Sequence, residues 1–278
     1  MSIVKKIGII GFGFMGSAIA EQIKLKHEVW VFDKDKDKIK GLTKINIAGD
    51  IIDLGNEADV IILAVKPQDF TDILKELKEA GNYIKNKIII SIAAGITTTY
   101  ISKCFGEEIR VVRVMPNLPA RIAMGMSCLC KGEFAKEEDL KFAQELFDNL
   151  GDTLVLNEDK MDAATAISGS GPGYYYDLIE GKEIKEAKEY LISDFIPSLR
   201  AAAESLDFTK EEAKKLADST GYGSFSFLEQ SNITPLELRK QVTSKGGTTE
   251  AGLEVLHRGG SLEDAAKVAL KRAKELSK

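Results

Sequence analysis

A chain of 278 residues, 44% hydrophobic and 29% charged, has room for one large domain or two modest ones and the balance of a soluble globular fold. Its formal net charge of −5, with no basic block, leaves no electrostatic footprint for nucleic acid, and no apolar run reaches the ~18 residues that span a bilayer. Met1–Lys6 runs straight into an apolar strand without a signal peptide's features, and the three cysteines (Cys104, Cys128, Cys130) fit no zinc spacing, so a cytoplasmic protein with idle thiols and no metal is expected.

The first half alternates strand and helix. Ile3–Ile10 is a near-continuous apolar run, as in a strand covered on both faces, followed by a helix from Phe14 to Lys26 and a second strand at Glu28–Asp33. The alternating acids and lysines of Asp33–Lys40 read as a solvated helix start. Val60–Val65, Lys87–Ile92 and Ile109–Val114 are further β-branched runs, with helices predicted between them at Asp69–Tyr83 and Thr97–Phe105. Ile122–Cys130 reads as another strand, Lys136–Leu150 as an amphipathic helix and Thr153–Leu156 as a last short strand. Beyond about Asn157 the strand signal stops, and seven helices are predicted: Met161–Ile167, Gly173–Glu180, Lys182–Leu206, Lys210–Leu228, Pro235–Gln241, Thr249–Arg258 and Leu262–Leu276. The pattern predicts an α/β fold, a Rossmann-type parallel-sheet domain over 1–158 and an all-α domain over 159–278.

The segment Gly11-Phe12-Gly13-Phe14-Met15-Gly16 is G-x-G-x-x-G between a strand and a helix, the context in which that pattern binds a dinucleotide. Gly11 permits the tight turn, Gly13 lets a pyrophosphate approach the backbone, and Gly16 lets helix and strand pack closely. Free N–H groups at the helix start suit a phosphate. Asp33 stands 17 residues after Gly16, at the end of the second strand. An acid there can bond both ribose hydroxyls and repel a 2′-phosphate, whereas Lys34 and Lys36 can attract one; helix capping is the structural alternative. Ala64-Val65-Lys66-Pro67, Ala93-Ala94-Gly95 and Asn117 follow later strands, and ligands of open parallel sheets bind beyond the carboxyl ends of strands. Small residues at Ala93–Gly95 would admit a flat nicotinamide, and Asn117 could orient a polar group.

In the helical half, Ser168-Gly169-Ser170-Gly171-Pro172 and Val242-Thr243-Ser244-Lys245-Gly246-Gly247-Thr248-Thr249 are loops of hydroxyls and glycines ahead of helices. Such loops either cap the helix or form a backbone nest for a carboxylate. The two histidines, His27 and His257, stand in no polar cluster of the sequence, so histidine acid–base chemistry is not expected. Apolar stripes such as Leu191, Phe195, Ile196 and Leu199, with Phe225, Phe227 and Leu228, exceed what ~120 residues of helix readily bury, which points to an interface between copies.

With Arg113–Ala120, these segments resemble, in order and spacing, the motif set of the pyrroline-5-carboxylate reductase family over nearly the whole chain; "VTSKGGTTEAGLEVL", Val242–Leu256, is the most specific. The resemblance implies a C-terminal helical dimerisation domain and a homodimer, which in turn could assemble further. It implies hydride transfer from NADPH or NADH to the C=N carbon of 1-pyrroline-5-carboxylate, giving L-proline. It places cofactor along Gly11–Gly16 and Ala64–Pro67. Substrate falls to Ser168, Ser170, Gly171 and the Ser244–Thr249 loop, where Ser244 and Thr249 act on it. Thr249 would touch the imine nitrogen beside a Gly246–Gly247 nest holding the substrate carboxylate, with the Thr248 hydroxyl pointing elsewhere.

Four features depart from the family pattern: Lys245 for proline, Leu118 for threonine, Gly173 for alanine, and some fifteen extra residues between about Lys182 and Pro197. A protonated imine accepts hydride readily, so the reaction needs alignment of two bound molecules more than a strong acid. A β-hydroxyacid dehydrogenase would need an acid–base lysine in the helical half, where Lys182, Lys185 and Lys188 read as solvated; a non-catalytic NAD(P)-binding regulator would not need both loops.

Overall fold

The computed structural model describes residues 4–79, 81–106 and 108–277, with backbone alone at 81–83. Ile3, where the first strand is predicted to begin, the residues before it, and Ala80 in the predicted Asp69–Tyr83 helix lie outside them. The chain divides into two compact units. The first runs through Val114 and takes in Leu129–Asn149; the second comprises Met115–Cys128 and Leu150–Ser277.

The first unit is built on buried, largely β-branched strands. In chain order it contains β1 (Lys6–Ile10), α1 (Phe14–Ile23), β2 (Glu28–Phe32), β3 (Asn46–Ile47), α2 (Ile51–Glu57), β4 (Val60–Leu63), α3 (Phe70–Glu79), β5 (Ile88–Ser91), α4 (Thr98–Phe105) and the start of β6 (Arg110–Pro116). Every residue of β4 and β5 is buried, as required of central strands covered on both faces. The order β3-β2-β1-β4-β5-β6 is parallel throughout and reverses direction of growth between β1 and β4. That switch point opens a crevice at the carboxyl ends of the strands. β7 (Gly125–Lys131) follows in the strand order and runs antiparallel to β6, with Gly132 N–H donating to Val111 O at 2.8 Å. α5 (Glu137–Phe147) ends the first unit's chain, and β8 (Gly151–Val155) stands last in the order.

β3 and α2 lie in a stretch without a predicted element. Each is too short, two and seven residues, to display a period. The Asp33–Lys40 expectation is corrected. Only Lys36–Lys38 forms a single 3-10 turn, capped by Asp35, because one apolar residue, Ile39, gives a helix no face to bury.

The second unit's helices are α6 (Met161–Ala164), α7 (Gly171–Leu178), α8 (Ile184–Tyr190), α9 (Ile196–Ser205), α10 (Lys210–Gln230), α11 (Pro235–Val242), α12 (Thr248–His257) and α13 (Leu262–Leu276). The starts of α10, α11 and α13 are set by Thr209/Glu212, Thr234/Glu237 and Ser261/Asp264 boxes, in which the hydroxyl and the carboxylate each accept the other residue's N–H. The helix predicted over Lys182–Leu206 runs from Ile184 to Ser205, with a π-turn at Leu191–Phe195 between α8 and α9. Leu191, Phe195, Ile196 and Leu199 of this stretch face inward, the ring of Phe195 lying 5.0 Å from that of Tyr175. Leu191, Phe195, Ile196, Leu199, Phe225, Phe227 and Leu228 are therefore all buried within this chain, not left as an exposed stripe. No helix of the described residues is long and apolar enough to cross a membrane.

Candidate active site

At the switch point of the first unit a cleft of about 310 Å³ is lined by Gly11 and Gly13, Asp33 and Lys34, Ala64–Lys66 and Asp69. Gly11 holds φ at +97°, and a Cβ there would stand 2.6 Å from Ala64 O, so the turn and its closeness to β4 both demand glycine. A Cβ at Gly16 would fall 2.0 Å from Gly11 O. Gly13 is the reverse case: nothing lies within 4 Å of its missing side chain, and it opens α1 with no side-chain cap. An uncapped helix start of this kind is a fitting seat for a pyrophosphate. Phe12 is buried, Phe14 is exposed and Met15 is half-buried.

Asp33 is 6% exposed. Its Oδ2 accepts the Phe12 N–H at 2.7 Å and its Oδ1 the Asp35 N–H at 2.9 Å, with Lys38 Nζ at 3.5 Å. The carboxylate thus ties the glycine loop to the end of β2. Lys34 pairs with Asp69 at 3.0 Å, and Lys36 donates to Gly49 O and lies over the Phe32 ring. Ala64 and Val65 are half-buried, while Lys66 and Pro67 are exposed at a 3-10 turn. Ala93, Ala94 and Gly95 form the turn after β5, with Ala94 exposed.

Asn117 belongs to the second unit, and its amide is occupied. Oδ1 accepts the Met126 N–H at 2.8 Å, and Nδ2 donates to Ser168 O at 3.2 Å. It braces the turn after β6 and offers a cofactor little.

The two motif loops of the second unit converge. Ser170 ends a π-turn over Thr165–Gly169 and precedes α7 with its hydroxyl unused as a cap. Thr249 Oγ1 donates to Ser170 Oγ at 3.1 Å, and Thr248 Oγ1 lies 3.2 Å from the same atom. The expectation that Thr248 points away is corrected. As consecutive residues opening α12 beside the start of α7, both threonines reach one hydroxyl. α12 starts at Gly247 with no side-chain cap, so its first N–H groups are available to an anion.

The Gly246–Gly247 nest is also revised. The Gly246 N–H is taken by Glu250 Oε2 at 2.6 Å and the Gly247 N–H by Ser244 O at 2.9 Å. An incoming carboxylate is left the first turn of α12. Ser244 and Lys245 are exposed. Ser168 is fully buried and spends its hydroxyl on Ala164 O. Gly171 lets α10 pack closely, since a Cβ there would meet Thr220 Cγ2 at 2.6 Å. At Gly173 a Cβ would stand 2.5 Å from Thr249 Cγ2, so the missing side chain lets α7 and α12 approach closely.

Other side chains here carry no sequence signal. Tyr174 is fully buried beside Ser170, and burial pushes its pKa well up. Asp177, at the end of α7, accepts from Arg239 of α11 and lies 2.9 Å from His257 Nε2 of α12. His257 therefore does sit in a polar cluster, one assembled by three helices that no spacing rule would connect. His27 packs edge-on to Phe142, and burial, then Lys26 and Lys5, hold its pKa below the usual value. Among the described residues no group of His, Cys, Asp or Glu could hold a metal ion. Lys182, Lys185 and Lys188 are exposed.

A glycine cradle at the switch point of a parallel sheet, with a separate cluster of hydroxyls at an uncapped helix start, defines a dinucleotide-dependent oxidoreductase. Residues 6–95 match the family described as NADP oxidoreductase, coenzyme F420-dependent, and residues 191–278 match pyrroline-5-carboxylate reductase dimerisation. Pyrroline-5-carboxylate reductase 2 of Bacillus subtilis (strain 168) is 34% identical over 263 residues, covering 91% of this chain and 87% of that protein. The enzyme of Methanosarcina acetivorans is 34% identical over 99% of this chain and 98% of its own. Among solved structures, a pyrroline-5-carboxylate reductase from Coxiella burnetii superposes with a TM-score of 0.66 at 30% identity, covering 99% of this chain and 100% of that one. The Plasmodium falciparum enzyme with NADP bound gives 0.64 at 28% identity, covering 99% and 98%. The chain belongs to the pyrroline-5-carboxylate reductase family.

Proposed function

We propose that the chain reduces 1-pyrroline-5-carboxylate to L-proline with NADPH or NADH, as a homodimer in the cytoplasm. The observation that carries this reading is the meeting of Ser170, Thr248 and Thr249 at an uncapped helix start. Residues 1–158 would hold the dinucleotide, and residues 159–278 the substrate and the contact between copies. The Gly11–Gly16 loop and the first turn of α1 seat the pyrophosphate; Ala64–Pro67 flanks it. When bound, the dinucleotide supplies the hydride from nicotinamide C4. The first-turn N–H groups of α12 hold the substrate carboxylate. Because Thr249 donates its proton to Ser170, its remaining lone pairs accept the N–H of a protonated imine. That contact orients the C=N carbon and persists when the nitrogen becomes an amine, so no strong acid is called for. With Lys34 and Lys38 already paired to acids and the Asp33 carboxylate near the ribose position, NADH is read as accepted at least as well as NADPH.

Oxidation of NADH and NADPH should be followed separately with pyrroline-5-carboxylate and with its six-membered homologue, and proline quantified. Folded protein that binds dinucleotide but yields no proline would remove the assignment.

A further inference from the structure

Gly246 is the one residue of the substrate loop whose peptide groups are both held by charged side chains of other elements. Its N–H donates to Glu250 Oε2 of α12 at 2.6 Å. Its carbonyl accepts Arg272 Nε of α13 at 2.8 Å. Arg272 is itself steadied by Glu275 one turn on, Nη1 to Oε2 at 2.9 Å. Gly246 has φ at +69°, a left-handed conformation that glycine visits without preferring, so the turn needs external contacts to stay in one state. Gly246 is exposed, and packing does not supply them. The adjacent Gly247 N–H donates to Ser244 O at 2.9 Å, closing the turn around Gly246.

We propose that Glu250 and Arg272 are positioning residues that lock the Gly246 peptide and so preorganise the Ser244–Thr249 loop for substrate. The inference rests on the reading of that loop as the substrate site. The loop leads directly into the first turn of α12, so its conformation sets where Ser244 lies and how open the α12 N–H groups stand. An unlocked loop samples other conformations, and binding must then select the competent one; apparent affinity falls by the fraction populated. Neither residue touches the dinucleotide cleft, whose lining lies wholly in the first unit.

The test compares Arg272→Ala and Glu250→Ala with Arg272→Lys and Glu250→Gln, which keep a donor and an acceptor. Each alanine variant should raise KM for pyrroline-5-carboxylate by roughly 10-fold, with kcat and the dinucleotide Kd within about 3-fold, and the conservative variants should recover most of the loss. NMR on glycine-¹⁵N protein gives a readout independent of turnover: the Gly246 amide should be slow to exchange in the wild type and at least 10-fold faster in Glu250→Ala. Unchanged KM in both alanine variants, or a Gly246 amide that exchanges as fast in the wild type as in Glu250→Ala, overturns the lock. Should the wild type not reduce this imine, the functional reading fails; the amide exchange still decides whether the peptide is locked.

Discussion

Thr249 is the residue on which the chemistry is proposed to turn. Thr249→Val keeps the methyl seated against Gly173 and removes only the hydroxyl. A hydrogen bond of this kind is worth roughly 1–3 kcal/mol, so kcat/KM for pyrroline-5-carboxylate should fall about 10- to 100-fold with dinucleotide affinity unchanged. Thr248→Val should cost less, although not nothing, because Thr248 shares Ser170 with Thr249. Full activity in Thr249→Val, or a larger loss in Thr248→Val, would show that substrate is not placed here. Asp33 poses a different question, since its carboxylate is occupied by the glycine loop. Asp33→Ala should weaken NADH and NADPH alike, by about 10-fold in Kd, and Asp33→Asn, which keeps an acceptor for Phe12 N–H but turns an NH2 toward Asp35 N–H, should fall between it and the wild type. A clear NADPH preference that Asp33→Ser leaves unaltered would count against any ribose role. Titration of both dinucleotides by fluorescence separates the cases.

Elements, too, are held by contacts that chain spacing does not announce. Asp177 fastens α7 to α11 and α12 through Arg239 and His257. Asp177→Ala leaves the half-buried Arg239 with Glu180 alone and takes the carboxylate from His257, and should destabilise the folded chain by about 1–3 kcal/mol, measured by urea denaturation. A change under about 0.5 kcal/mol would mean that Arg239 simply turns to Glu180, which lies 3.0 Å away. The extra segment is an element of the core. Phe195 lies fully inside against Tyr175, so Phe195→Ala should cost ~3–5 kcal/mol at any protein concentration. A loss that shrinks as the protein is concentrated would instead place this residue at a contact between copies.

For the whole molecule, the proposed homodimer must now use other surface than the stripe read from the sequence. The helical part of the second unit exposes Ile184, Ile192, Tyr222, Val268 and Leu276, a set dispersed over several helices. Light scattering at micromolar concentration should give twice the mass of the chain, and Tyr222→Lys with Val268→Glu should lower it if these residues meet a partner. A wild-type monomer under those conditions would remove the homodimer from the reading.

Some of this was settled by local chemistry. Strand and helix alternation and the glycine fingerprint act within a few residues of themselves, so β1, α1, β4, β5 and α10–α13 could be read directly, as could the reductase family from its ordered motifs. The rest depended on groups far apart in the chain. Asp33 was legible as an acid at the right place, but only the fold shows its oxygens spent on Phe12 and Asp35. Asn117 and Ser168 looked available and are consumed by buried backbone. The meeting of Ser170 with Thr249, the Asp177 cluster and the inward turn of Leu191–Phe195 arise where helices pack, and whether a hydroxyl, a carboxylate or an apolar stripe is free is decided by what packing brings beside it.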